Sequence, residues 1–469
     1  MAEIQLPHGC TGEGCSFEGS RTRAHLLYHV KNKIPTKLRH HELDILPVRS
    51  DFIDPKLRAV FSAQVTKRGP ILFMPNDIIE KNDRIDGRLK YRIYMTGVLP
   101  CGSRAMIILE GVEVHVDVMV PDGITSKAFD DFLRGQLNTK NIPYNGIKDV
   151  MMFRLKGFQK APRVWKRIHF DTLQERKKAI EFIENLNKEY ANAKKPRLET
   201  AADDNKRGAS DFYFPKVARE WRFATADWNR IEKYIVVNAR DYSPNCDYVF
   251  KVDIKDLKKF DKARRDDIKS SGSILAEHID RDNSMVAQWD IETWRKIQNG
   301  MVPTPQDEDY VIFMMCSSFF WHHSMDPLLT VCCVHTGGNM REGMMISIEC
   351  SSEREVLISH YTILGKMAME ILSAFNGQNF DWPLYREKLR REELLVDMKK
   401  SLSALNVLPN ETEANVLKWC FTSTQIKIDA EFLKAGYILP KDYIEENYGT
   451  KIEAMPNSSQ QTTGSGKKP

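Results

Sequence analysis

The sequence predicts an α/β domain preceded by a β-rich α+β domain, and three observations carry that expectation. From residue 285 the strand-like runs MVAQWDIETW, DYVIFMMCSSFFW, PLLTVCCVH and GMMISIEC lead into a long helical stretch, SEREVLISHYTILGKMAMEILSAF. Over residues 69–121, Val-, Ile- and Tyr-rich runs alternate with Gly, Pro and Cys-Gly punctuation. The chain of 469 residues, 42% hydrophobic and 28% charged, has globular composition and length for roughly two to four cores.

The first block, residues 1–35, carries Cys10, Cys15, His25 and His29. Their spacing is C-x4-C-x9-H-x3-H, with both histidines on one face if RTRAHLLYHV is helical. One reading is a short C2H2-like zinc finger, short because the inner spacing is usually nearer to about twelve. The other is two ordinary thiols and two surface histidines in a terminus.

Residues 36–205 form the expected α+β domain. Its strands are GPILFMPNDIIEK, RLKYRIYMTGVL and RAMIILEGVEVHVDVMV, followed by a helix over 126–137. Then come strands at VMMFRLKGF and VWKRIHF and a charged-faced helix over 173–192. Between positions 154 and 167 stand Arg154, Lys156, Lys160, Arg163, Lys166 and Arg167, with no acidic residue and with aromatics, Trp165 among them, interleaved. Cations meet phosphates and rings stack on bases, so this stretch suits a nucleic-acid surface; lysines guarding a strand edge explain it equally well. Residues 191–210 read as a linker, and 206–283 as a mixed connecting region whose run KVDIKDLKKFDKARRDDIKSS is most simply a solvated helix or loop.

Residues 284–448 form the α/β domain, with a polar tail at 449–469. In its first strand Asp290 and Glu292 share a face, roughly 7 Å apart, while Trp289, Ile291 and Thr293 take the other. Either that face is wet, or a divalent cation neutralises the two carboxylates. Asp381 in NGQNFDWPL falls at the start of a further helix, whose dipole tolerates a carboxylate. His322 and His323 read as a surface cap of a strand, and the adjacent Cys332 and Cys333 as core residues.

Several classes are excluded. The first residues lack a basic-then-apolar signal peptide. The longest charge-free apolar run, 310–325, is too short and polar to span a bilayer, so no membrane partner is expected. Nine scattered cysteines fit reduced thiols, hence an intracellular protein. The net charge of +5 is too mild to argue for nucleic acid by itself.

Taken together, DIE on the first strand and NGQNFD after the next helix resemble the first and second exonuclease motifs of family B DNA polymerases. ILFMPNDI, TAADD, CSSE and FDWPL are similar to the asfarvirus-like viral type, and the resemblance runs over residues 69–448. It implies a ribonuclease-H-like 3′–5′ exonuclease domain behind a family B N-terminal domain. It implies Asp290, Glu292 and Asp381 as catalytic ligands of two Mg²⁺ ions, with Asn376 and Phe380 placing the 3′-terminal nucleotides. Its substrate would be DNA, as single-stranded 3′ ends or primer-template, at a cytoplasmic or nuclear replication site.

Two departures stand beside it. The family's third motif, Tyr-x3-Asp, has no match: Tyr437 and Asp442 are one residue too far apart, and Asp429 has no tyrosine four residues earlier. No palm signature is found either. A truncated exonuclease portion is therefore expected, completed by a separate chain that carries the third motif and the polymerase domain. The alternative is a non-catalytic nucleic-acid-binding protein, or a remnant, derived from such a polymerase.

Overall fold

The computed structural model describes residues 22–153, 161–192, 197–200, 213–243, 245–270, 276–295, 302–335, 346–374, 377, 380–403, 412, 413 and 416. The expected N-terminal strands form. Long antiparallel strands Ile71–Ile85, Arg88–Val98 and Arg104–Glu110 make the centre of a seven-stranded sheet. A second sheet of three antiparallel strands (Val114–Met119, Arg163–Phe170 and Gly146–Met152) shares a hydrophobic core with it, under helices Ser126–Thr139 and Leu173–Asn192.

The stretch 206–283 is more than a connector. Asn229–Ile231 and Leu257–Lys259 extend the seven-stranded sheet at one edge, and Tyr248–Asp253 and Ile235–Val237 extend it at the other. The charged run therefore holds two strands and the helix Lys262–Ser270 rather than one solvated helix. The signal is weak locally because Leu257–Lys259 is only three residues long and two of them are exposed lysines.

The second domain is a six-stranded sheet. Helix α1 (Arg23–Lys31) and strand β1 (Thr36–Arg39) come from the N-terminus. Then follow β2 (Met285–Arg295), β3 (Tyr310–Trp321), β4 (Leu329–His335), β5 (Ile346–Cys350), α2 (Glu353–Met367), β6 (Ile371–Ser373), α3 (Asp381–Arg391) and α4 (Leu395–Leu402). The strand order is β1-β5-β4-β3-β2-β6. The expected antiparallel meander holds for β2, β3 and β4; β5 joins parallel to β4, β1 parallel to β5, and β6 parallel to β2.

A boundary at 35/36 does not match where the chain changes sheet. Leu26 and Val30 of α1 and Leu38 of β1 lie in the same core as Trp289 and Ile348. The residues expected as the end of a finger and the start of the first domain thus cap the edge of the second sheet. Cys332 and Cys333 are buried as expected. Among the described residues no helix is long and apolar enough to cross a membrane.

Arg49 joins the two domains. Its guanidinium donates to Glu370 Oε1 at 2.6 Å, to the Ala368 carbonyl at 2.8 Å, to the Gly102 carbonyl at 2.9 Å and to the Asn283 carbonyl at 3.3 Å. Glu370 also accepts from the Met285 N–H, which starts the Asp290 strand. Arg49 and Glu370 are both buried, so removing either leaves an uncompensated charge. Replacing Arg49 with Ala is expected to cost on the order of 3–5 kcal/mol, read as a lowered midpoint in urea unfolding.

Candidate active site

Strand β2 places the first two carboxylates. Gln288, Asp290, Glu292 and Trp294 are exposed, while Trp289 and Ile291 are buried, so the expected alternation is present in the fold. Asp290 stands opposite Cys316 and Glu292 opposite Met314 on β3. Thr293 then pairs with Ile312, which leaves Phe313 as the extra residue of a bulge in β3 and keeps β2 itself regular. Cys316 shares this face, and its thiol is held below the usual range, chiefly by a hydrogen bond with Cys332 in the neighbouring strand.

The third carboxylate arrives from the side. The parallel pairing of β6 with β2 stops at Gln288, which leaves the edge of β2 open beside Asp290 and Ile291. Asp381, the first residue of α3, is buried there, with the Ile291 N–H against its carboxylate. Gly377 approaches Ala374 closely: a Cβ on Gly377 would lie 2.8 Å from that of Ala374. The Gly377 carbonyl accepts from the Trp382 N–H at 2.8 Å, fixing the start of the helix.

Asp381 is pushed up to about 6, first by burial and then by the Asp290 charge, which also accepts a hydrogen bond from its protonated form. Among the described residues, no Lys or Arg pairs with Asp290, Glu292 or Asp381. This contrasts with the buried and half-buried carboxylates elsewhere. Glu370 has Arg49 and Arg104, Glu353 has Lys388, and Asp117 has Arg167. Close carboxylates without a protein cation are a donor set of hard oxygens, which suits Mg²⁺ or a similar divalent ion. Glu292 shares the face and is the outlying member.

Aromatic packing holds the pair together. Trp289 meets Trp382 edge to face at 6.4 Å, and both meet Tyr385, at 5.5 and 5.9 Å. His360 of α2 completes the group, 5.4 Å from Trp289 and 5.1 Å from Tyr385. Burial pushes His360 down to about 3, so it stays neutral here and donates or accepts with Ser317 Oγ at 3.0 Å. Each tryptophan is the chain neighbour of one carboxylate.

The expected nucleic-acid strand is built differently. Arg154, Lys156, Lys160 and Asn376 lie outside the described residues, as do Cys10 and Cys15. Trp165 is fully buried, its Nε1–H donating to the Met152 carbonyl, so its ring cannot stack on a base. Lys166 is buried with Asp149 at 2.5 Å, Arg167 forks onto Asp117 at 2.7 and 3.0 Å, and Arg163 reaches Asp122 at 2.8 Å. Asp117 and Asp149 come from neighbouring strands in register, invisible to a local reading. Phe380 is partly buried against the second domain's core, immediately before Asp381.

Sequence reasoning missed His115, Asp117 and Glu220, whose ligand atoms all lie within 4.8 Å of one another. Alternation in VHVDV was the available signal, since it puts His115 and Asp117 on one face. This group fits an ion-pair network better than a metal, because Arg167 and Lys216 already face Asp117.

Residues 213–428 match the model of the DNA polymerase family B exonuclease domain. The chain is 29% identical over 385 residues, 80% of its length, to the DNA polymerase beta of a Kenyan pig isolate of African swine fever virus. It is likewise 29% identical over 386 residues to that of the Vero-adapted Badajoz strain. The chain spans 28% of the length of these curated relatives. A solved family B DNA polymerase from the hyperthermophilic archaeon Pyrobaculum calidifontis aligns with 69% of this chain and 33% of its own, with a TM-score of 0.41 and 13% identity.

The raised Asp381 gives a sign to the pH dependence. A carboxyl whose folded value lies above its unfolded one stabilises fully below about pH 4, and loses that contribution as pH rises through about 6. In chelator, melting temperature should therefore fall more steeply between about pH 4 and 6 for the parent protein than for Asp381→Asn, and added Mg²⁺ should remove the difference. Parallel melting curves of the two proteins check this.

Proposed function

This chain is a relative of the family B DNA polymerases, and on that premise we propose that its second domain is a 3′–5′ exonuclease acting on DNA. The observation that carries the reading is the convergence of Asp290 and Asp381, with Glu292 on the same face and, among the described residues, no Lys or Arg paired with them. The ribonuclease-H-like reading is supported by the sheet: three antiparallel strands β2, β3 and β4, with β6 crossing over α2 to lie parallel at the other side of β2.

In this mechanism Asp290 and Asp381 would hold two Mg²⁺ ions, with Glu292 completing one shell. When bound, such ions stabilise the attacking and leaving oxygens of an in-line displacement at phosphorus. The protein's own part is to present three oxygens on a fixed edge, keep Asp381 out of bulk water, and let Glu292 orient the attacking water. Phe380 and Asn376 would seat the terminal nucleotide. The carboxylate of the family's third motif would come from outside the described residues or from a further chain, at the site where the genome is copied. The alternative of a binding module built on the 163–167 strand loses support, because that strand's charges are neutralised internally.

A 5′-labelled single-stranded oligonucleotide should shorten stepwise from its 3′ end with Mg²⁺, and Asp290→Asn and Asp381→Asn should each slow this ~100-fold or more. Wild-type protein that leaves the oligonucleotide intact in Mg²⁺ and Mn²⁺ would sink the reading for this chain.

For the N-terminus we infer zinc at Cys10, Cys15, His25 and His29. Supporting this, the Nδ1 atoms of His25 and His29 sit 3.2 and 2.8 Å from the hydroxyls of Thr22 and Thr36, one turn apart on α1. Such hydroxyl contacts at Nδ1 orient the other ring nitrogen for a metal. Metal analysis should find about one zinc per chain, absent from Cys10→Ser with Cys15→Ser; a metal-free, folded parent protein would refute it.

A further inference from the structure

We propose that Trp294 is a base-stacking platform for the single strand whose 3′ end reaches Asp290 and Asp381; the proposal rests on the exonuclease reading above. The indole lies on the same face of β2 as both strand carboxylates, two residues beyond Glu292. Because the bulge belongs to β3, the alternation of β2 runs unbroken from Gln288 to Trp294. At the strand rise of ~3.3 Å per residue, the Trp294 backbone is about 13 Å from that of Asp290, within reach of nucleotides 5′ of the scissile bond.

Trp294 is 50% exposed, whereas the domain's Trp289 and Trp382 are each 4% exposed. The ring lies half in water on the carboxylate face, so a partner that covers it must also present groups that a cation can bridge to those carboxylates. A nucleic acid strand combines both properties: phosphates for the metal-loaded carboxylates, and a flat base for the ring. The backbone under the ring is anchored, because the next residue, Arg295, forks onto Asp309 at 2.8 and 3.3 Å.

Stacking on an indole is tolerant of base identity, as a nuclease that degrades any sequence requires. It also needs an unpaired base with an exposed face. Trp294 would therefore favour a frayed or mismatched 3′ end over a paired one, without reading which base is wrong.

The test uses the full chain carrying Trp294→Ala, Trp294→Phe or Asp290→Asn. Binding of a fluorescent single-stranded oligonucleotide is measured in Ca²⁺ at fixed salt, and cleavage in Mg²⁺. Trp294→Ala should weaken binding and raise KM about tenfold with kcat little changed, and Trp294→Phe should recover most of the loss. Discrimination between single-stranded and fully paired ends should narrow in Trp294→Ala. Unchanged binding and KM in a folded Trp294→Ala protein overturns the proposal, as does a loss that Phe does not rescue. Asp290→Asn reports separately: cleavage at the parent rate would sink the exonuclease reading, while the Ca²⁺ binding comparison still judges Trp294.

Discussion

Two carboxylates brought to hydrogen-bonding distance repel each other, and the second domain is organised around imposing that approach. At a protein surface such a repulsion is on the order of 4 kcal/mol. The opposing attraction lies one residue away along each chain segment. Trp289 adjoins Asp290, Trp382 adjoins Asp381, and the two rings pack edge to face with Tyr385 and His360 between strand and helices. Each aromatic pair contributes about 0.5–1.5 kcal/mol beyond simple burial, so the cluster is of the right size to offset the strain. The approach of the two carboxylates is thereby held by the packing of the fold itself.

The rest of the domain keeps that cluster in register. Lys388, on the same helix as Asp381, reaches Glu353 at the start of α2, and Glu353 also accepts from the Ile312 N–H on β3. On the other side, Glu370 ties the start of β2 to the segment leading into β6, and Arg49 ties both to the first domain. A short β6 is as important as a strong one. Had its pairing continued past Gln288, it would have covered the edge that Asp381 occupies.

What could be read from the sequence was what is local. Alternation in QWDIETW gave the shared face of Asp290 and Glu292, and FDWPL gave Asp381 at a helix start, both as found. Nothing local reveals that Asp117 and Asp149 lie beside Arg167 and Lys166, because strand register sets those pairs. Arg163, Lys166 and Arg167 could therefore be read as part of a phosphate surface although their charges are matched within the fold. The exposed Trp294 was hidden for a related reason: in a strand rich in tryptophan, only burial separates the packed rings from the solvent-facing one. Strand β1 escaped because its partner lies far along the chain.

That last pairing has a consequence for how the molecule is made. Thr36 pairs with Ile346, so the edge strand leaves the ribosome about three hundred residues before its partner. At synthesis rates of roughly 5–20 residues per second, β1 and its helix wait on the order of 15–60 s. The first domain, complete by residue 259 apart from the helix that follows, can form in that interval. The second sheet cannot close until its tail end emerges, and until then β1 has no strand to pair with. Strand β1 is thus a late-acting clasp on β5, and losing it would expose the β5 edge to a neighbouring molecule.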